Sequence, residues 1–290
     1  MTSLLTVDDP VLLDFAEEVG DSGPVAIAGN RTRWALGGAS ADDTRLLKAP
    51  AGIVEYIPEE MTVRVRVGLS VDDFHAALAE QGQRTALPER GGTVGGALAV
   101  GENDLRVLGR GRIRQALLQI RYVSAEGRMV SGGGPTVKNV TGFDIPRLMV
   151  GSLGTLGCFV EAIIRTNPIP AVSAWLVSPD VDPFVVADAV LRPSVILWDG
   201  EQTWVQLEGH DVDVAAERRA LERIGSFAET NGPPELPKYR WSLSPSGLHT
   251  LDTAATGSFV ASVGVGTMWA SNPASKRALD PSVRVVAQRM

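Results

Sequence analysis

Two glycine-dense segments, Gly91-Gly92-Thr93-Val94-Gly95-Gly96 and Gly151-Ser152-Leu153-Gly154-Thr155-Leu156-Gly157, constrain most strongly what this chain can fold into. Glycine at such density lets the backbone turn through φ > 0 and approach a neighbour with no Cβ in the way. Turns of this kind point successive N–H groups at one anion. A further cluster, Gly132-Gly133-Gly134, closes an apolar stretch, and Gly29-Asn30-Arg31-Thr32 follows the short apolar run 25–28. Glycine loops at the ends of several strands imply a fold that offers bare backbone to one large ligand from more than one side. A dinucleotide with a pyrophosphate at its middle has the matching shape.

The loops belong to neither of the two commonest nucleotide motifs. A Rossmann fingerprint needs G-x-G-x-x-G between a strand and a helix, with an acid about 20 residues on, and the Gly91 run has other spacing. A P-loop needs Gly-Lys-Ser/Thr, whereas Lys138 is followed by Asn139. With 290 residues there is room for two domains, and a net charge of −7 argues against nucleic acid as a main partner. Against that acidic background Arg106, Arg110, Arg112 and Arg114 cluster after the Gly91 run, which reads either as a phosphate-seeking patch or as a solvated loop. The single cysteine, Cys158, excludes an internal disulfide and reads as a buried structural thiol; no Cys/His spacing suggests a metal site. No apolar stretch has the length of a bilayer span, and residues 1–6 carry no basic leader, so the expectation is a cytoplasmic protein.

Periodicity supplies the element order. Residues 11–19 predict an amphipathic helix ending at Gly20, and Val25 to Ala28 a short strand. Thr62 to Val67 alternates strictly and predicts a strand with one buried face. Ser70 is placed to cap the next helix, with Asp73 at N3. A hairpin is expected for 116–124 and 128–131, a short helix capped by Asp144, and a strand at 159–166. Pro168 and Pro170 mark a boundary. That divides the chain into residues 1–169, with a subdomain break near 57–60, and residues 170–290. The second part reads as βαββαβ: strand 173–178, helix 183–191, hairpin 195–198 with 203–207, helix 212–224 and strand 258–265. That order predicts a small antiparallel sheet with helices on one face. Residues 231–247 are expected to form a long loop. His75, His210 and His249 stand isolated and read as structural or solvated.

The segment Val137-Lys138-Asn139-Val140-Thr141-Gly142-Phe143-Asp144, with Gly151 to Gly157 after it, resembles the FAD-binding subunits of bacterial glycolate oxidases. More broadly, Gly91 through Pro168 resembles the FAD-binding domain of the vanillyl-alcohol oxidase/p-cresol methylhydroxylase superfamily. The resemblance implies an α+β protein: a two-part FAD-binding domain of that type followed by a small ferredoxin-like cap domain. It places Gly29, Asn30, Arg31 and Thr32 in a first pyrophosphate loop, with Asn30 where family members usually have a second glycine, a mild change because asparagine tolerates the left-handed conformation better than most residues. Gly92, Thr93, Val94, Gly95 and Gly96 fall on a second loop toward the phosphates and ribityl chain. Gly111 and Arg114 match a Gly-x-x-Arg-Asp element in which Gln115 replaces the acid. Gly154, Gly157 and Val160 match the segment lining the adenosine half.

Lys138 and Asn139 match positions near the flavin, where a cation would stabilise charge developing on the reduced ring; a surface lysine is the alternative. The His-rich segment that related 2-hydroxy-acid dehydrogenases carry in their second domain has no counterpart, and neither His nor Cys sits where a covalent flavin link would form. The implied activity is that of a non-covalent FAD subunit in a glycolate oxidase-like complex that converts a 2-hydroxy acid to a 2-oxo acid. Its partners would be a second flavin subunit and an iron–sulfur subunit that accepts electrons. A self-sufficient D-lactate-type dehydrogenase and a non-catalytic scaffold stabilised by FAD are the rival readings.

Overall fold

A computed structural model describes residues 9–38, 40–135, 143–251 and 256–273. The chain clusters into two compact units, the first comprising residues 1–104 and 111–169 and the second 105–110 and 170–290.

The first unit opens with α1 (Pro10–Val19), whose start is set by Asp9: its carboxylate accepts from the Val11 N–H at 3.1 Å, and Pro10 needs no N–H at that position. Gly20 ends it at φ 69°. Its buried stripe, Leu12, Phe15 and Val19, packs on Leu47, Val123 and Val160. Strands β1 (Val25–Ile27) and β2 (Arg45–Leu47) form a two-stranded parallel sheet, Val25 opposite Arg45. Next come β3 (Ala51–Ile57), β4 (Thr62–Val67), α2 (Val71–Ala79), β5 (Gln83–Arg84), α3 (Val94–Val100) and α4 (Val107–Arg110), the last of which belongs to the second unit. The first unit continues with α5 (Ile113–Ala116), β6 (Leu117–Val123), β7 (Met129–Gly133), α6 (Ile145–Met149), β8 (Cys158–Arg165) and β9 (Asn167–Pro168), which pairs with β5.

The five-stranded sheet has the order β3-β4-β8-β6-β7, antiparallel throughout. The strict alternation of β4 puts Val63, Val65 and Val67 into the main core, each at most 1% exposed, with Phe74 and Leu78 of α2 and Leu98 of α3. The opposite β4 face carries Arg64 and Arg66, which find carboxylates. Glu161, 2% exposed, receives Arg64 and Arg121 on one oxygen at 3.1 Å each, and Arg66 meets Asp9 at 2.6 Å. Ser70 caps α2 as its position implied, accepting from the Asp73 N–H at 3.0 Å, and Asp144 caps α6 by accepting from Arg147 N–H at 3.0 Å.

Three helices differ from the sequence reading: the short α4 and α5 have no counterpart in it, and residues 94–96, read as part of the glycine loop 91–96, open α3. Gly95 and Gly96 lower helix propensity by about 1 kcal/mol each, yet burial of Val94, Ala97 and Leu98 and a Thr93 cap outweigh that.

In the second unit β10 (Val172–Ser178), α7 (Pro183–Ala189), β11 (Pro193–Trp198), β12 (Thr203–Gly209), α8 (Asp211–Glu222) and β13 (Ala228–Thr230) are followed by β14 (Tyr239–Ser242), β15 (Phe259–Ser262) and β16 (Thr267–Ala270). The sheet has seven strands, ordered β13-β10-β12-β11-β15-β16-β14, with neighbours antiparallel. The strand that follows α8 and pairs with β10 is β13, which the sequence reading missed; the strand expected at 258–265 is β15, on the other side of β11, and the expected loop 231–247 contains β14. Proline-rich flanks disguised that strand, but Trp241 in it is fully buried and donates its indole N–H to the Asn272 carbonyl at 3.0 Å. One sheet face packs Ile196, Val205 and Ala261 with Val186 and Val190 at the end of α7 and Val214 and Leu221 of α8. The other gathers Trp175, Trp204 and Trp269 with Leu197 and, from the segment before α4, Leu105.

The shared carboxylate makes a clear prediction. Glu161→Ala takes the shared anion from Arg121 and leaves Arg64 only the longer, more exposed pair with Glu55 at 3.6 Å, which should cost about 2–3 kcal/mol. Urea melts read the loss, and Glu161→Gln should lose less because it keeps an acceptor.

Candidate functional site

Within the first unit a cleft of about 550 Å³ lies between β1, α3 and the loop before β8, a size suited to an organic cofactor. Gly29, Asn30, Arg31 and Thr32 line it from the loop after β1, Thr93, Gly95 and Gly96 from the start of α3, and Gly154 and Gly157 from the third loop. Segments separated by more than a hundred residues are thus brought together, and α3 does it from both ends.

At its N-terminal end, Thr93 Oγ1 accepts from Gly96 N–H at 3.1 Å, and a Cβ on Gly29 would lie 2.7 Å from that oxygen. Only glycine fits position 29 at this spacing. Asn30 Nδ2 donates to the Gly92 carbonyl at 3.4 Å, while Arg33 Nη1 donates to the Gly91 carbonyl at 3.0 Å and to Thr32 Oγ1 at 3.2 Å. Gly92 turns at φ 85°, and a side chain there would meet Thr32 Oγ1 at 2.6 Å. At the other end, the carbonyls that α3 leaves unpaired are taken up by the third loop: Gly151 N–H donates to Leu98 at 3.0 Å and Leu153 N–H to Ala99 at 2.8 Å. Gly101 permits this, because its Cβ would sit 2.9 Å from Gly151 Cα.

The left-handed residue of the first loop is Arg31, at φ 56°, and Asn30 is not among the positive-φ residues. The Asn30 amide is used to tie the loops, whereas Arg31 lays its guanidinium 5.4 Å from the Trp34 ring centre. Left-handed backbone at a non-glycine residue is costly and clusters at ligand sites.

Other expected site residues have different surroundings. Val94 is fully buried in the core, and its N–H is spent on the Leu69 carbonyl at 3.0 Å. Val160, also fully buried, packs with Leu12 and Phe15 of α1. Neither Gly111 nor Arg114 lines the cleft. Gly111 turns at φ 82° before α5, Arg114 is exposed, and Gln115 accepts from the Arg112 N–H at 3.2 Å. The arginine cluster divides, Arg106 and Arg110 falling in the second unit and Arg112 and Arg114 in the first. Gly132 and Gly133 serve packing: their Cβ atoms would strike Ile145 at 2.6 Å and Pro146 at 2.7 Å. Lys138 and Asn139 lie outside the described residues.

The structure adds residues that sequence reasoning passed over. Arg33, Lys48, Phe159 and Cys158 line the cleft. Among the described residues the lining carries three cations, Arg31, Arg33 and Lys48, and no carboxylate, a local reversal of the protein's net charge of −7. Cys158 is half-buried rather than enclosed; burial pushes its thiol pKa up, with the Arg45 charge pulling the other way. Only the third dimension could disclose Arg33, since its partners Gly91 and Glu102 are 58 and 69 residues away. Glycines without room for a Cβ, N–H-rich turns and an acid-free cationic lining suit a pyrophosphate-bearing dinucleotide.

Comparison with known proteins agrees with this chemistry. Residues 13–133 match the family model described as an FAD binding domain. Over 234 residues the chain is 31% identical to the glycolate oxidase subunit GlcE of Escherichia coli (strain K12), covering 76% of this chain and 67% of that one. It is 30% identical over 181 residues to a D-2-hydroxyglutarate dehydrogenase of Xanthomonas citri pv. viticola, covering 60% of this chain and 38% of the relative. A crystallised alkyldihydroxyacetonephosphate synthase shares the fold at a TM-score of 0.64 and 14% identity, covering 84% of this chain and 58% of that one. The chain thus spans two thirds of GlcE's length and considerably less of the dehydrogenase. The cleft's cradle and these matches together place the chain in the family of FAD-linked 2-hydroxy-acid oxidoreductases that includes glycolate oxidase subunit GlcE.

Proposed function

We propose that this chain is the non-covalent FAD-binding subunit of a glycolate oxidase-like complex, oxidising a 2-hydroxy acid to a 2-oxo acid and passing electrons to an iron–sulfur partner. The observation that carries the reading is the acid-free glycine cradle held by α3, in a chain that aligns with GlcE over 76% of its length. FAD, when bound, supplies the hydride acceptor. The chain's own residues bind and orient it: glycine backbone and Thr93 at the diphosphate, cations at the lining, Gly154 and Gly157 toward the adenosine half. Lys138 and Asn139 are the proposed flavin-facing pair, with the Lys138 ammonium countering negative charge on the ring. Gly111 and Arg114 are assigned no cofactor contact in this reading.

The second unit is proposed as a ferredoxin-like cap. Its first four strands run β13-β10-β12-β11 with α7 and α8 on one face, the βαββαβ arrangement, lengthened by three further strands. One cysteine cannot ligate an iron–sulfur cluster, so the electron acceptor of this proposal is another chain, alongside a second flavin subunit. Among the described residues no helix is long and apolar enough to cross a membrane; a cytoplasmic position, with any membrane attachment through partners, is part of the same proposal.

Glycolate tests it. The reconstituted chain alone should keep its yellow flavin band when glycolate is added, and addition of the partner subunits should bleach it. Bleaching by glycolate without partners contradicts the subunit reading and supports a self-sufficient dehydrogenase. Gly29→Ala should lower FAD occupancy at least tenfold with circular dichroism unchanged, because its methyl would push Thr93 and the second loop away. Cys158 offers a clean chemical probe, being the only cysteine. Its alkylation should be slow at pH 8, rise at higher pH than for a free thiol as the raised pKa requires, and fall when FAD is bound.

A further inference from the structure

Arg33 has one more donor edge than its neighbours use. Its side chain is only 10% exposed; Nε donates to Glu102 at 3.0 Å, and Nη1 divides its two hydrogens between Gly91 and Thr32. Nη2, with the remaining two, is buried and makes no hydrogen bond among the described residues. A buried cationic donor left unmade is expensive, and Arg33 lines the cleft. Glu102, which receives Nε, is shared with Arg90 and fixes the guanidinium from the side of Nε.

We propose that Arg33 is a cofactor-binding residue whose Nη2 edge donates to the diphosphate of FAD while its Nη1 edge holds the first and second loops at their working distance. The guanidinium fork suits this double duty, since a planar group presents separate edges to separate acceptors. A lysine could supply the charge but not both edges. The assignment rests on FAD binding by the first unit alone and is independent of the complex and its substrate.

The test is titration of apoprotein with FAD, followed by flavin fluorescence across a KCl series, beside urea melts of each apoprotein. Arg33→Gln should weaken FAD binding at least tenfold and flatten the salt dependence of Kd, because a cation facing the diphosphate is gone. Glu102→Gln cuts the brace from the other side but leaves the guanidinium; it should weaken FAD no more than about threefold and keep the full salt dependence. Arg33→Lys should restore the salt dependence with only part of the affinity. An Arg33→Gln protein with unchanged salt dependence overturns the proposal and leaves Arg33 a brace. So does Glu102→Gln weakening FAD as much as Arg33→Gln. Should Arg33→Gln fail to fold, a tenfold loss in Glu102→Gln alone overturns it.

Discussion

The loops that line the cleft of the first unit are held together by α3, a helix of seven residues built from a glycine-rich sequence. Its first turn packs so tightly on the loop after β1 that Gly29 has no room for a Cβ, and its last carbonyls hold the loop of residues 151–153. The glycines of α3 reduce its intrinsic stability and are tolerated because Gly95 lies against Val67 of β4, where a Cβ would come within 2.9 Å. Close approach of α3 to the sheet and close approach to the loop after β1 are therefore one requirement.

The electrostatic arrangement follows from the same geometry. The sheet face away from the main core neutralises its arginines internally, through Glu161 and Asp9. The cleft's lining carries three cations and no carboxylate among the described residues, although one of them, Arg33, is paired from outside the lining by Glu102. In a protein of net charge −7 the cleft thus presents an acid-free lining among the described residues. Glu102, 7% exposed and outside the lining, orders Arg33 through its Nε.

Much of the element order was legible because local rules act within a few residues. Ser70 and Asp144 cap the helices that their positions implied, and the alternation of β4 separates valines from arginines across the sheet. The misread parts are those where distant contacts overrule local preference. The Gly95-Gly96 pair reads as loop but is helix; residues 239–242 read as loop but pair along β16. In the site, the glycine loops were visible as glycines, but their mutual packing was not. Asn30, read as a residue that tolerates the left-handed conformation, instead bonds Gly92 and leaves that conformation to Arg31. Arg33 gave no signal at all, because its value lies in Gly91 and Glu102, far along the chain.

The central claim is that the first unit is an FAD site whose grip is on the diphosphate and is not covalent. Reconstitution of the purified chain with FAD, gel filtration, and acid precipitation of the retained complex tests it most directly. About one flavin per chain should be retained and released intact into the acid supernatant as FAD, with FMN failing to be retained under the same conditions. Absence of retained flavin, retention of FMN as readily as FAD, or flavin left attached to the precipitated protein would contradict it.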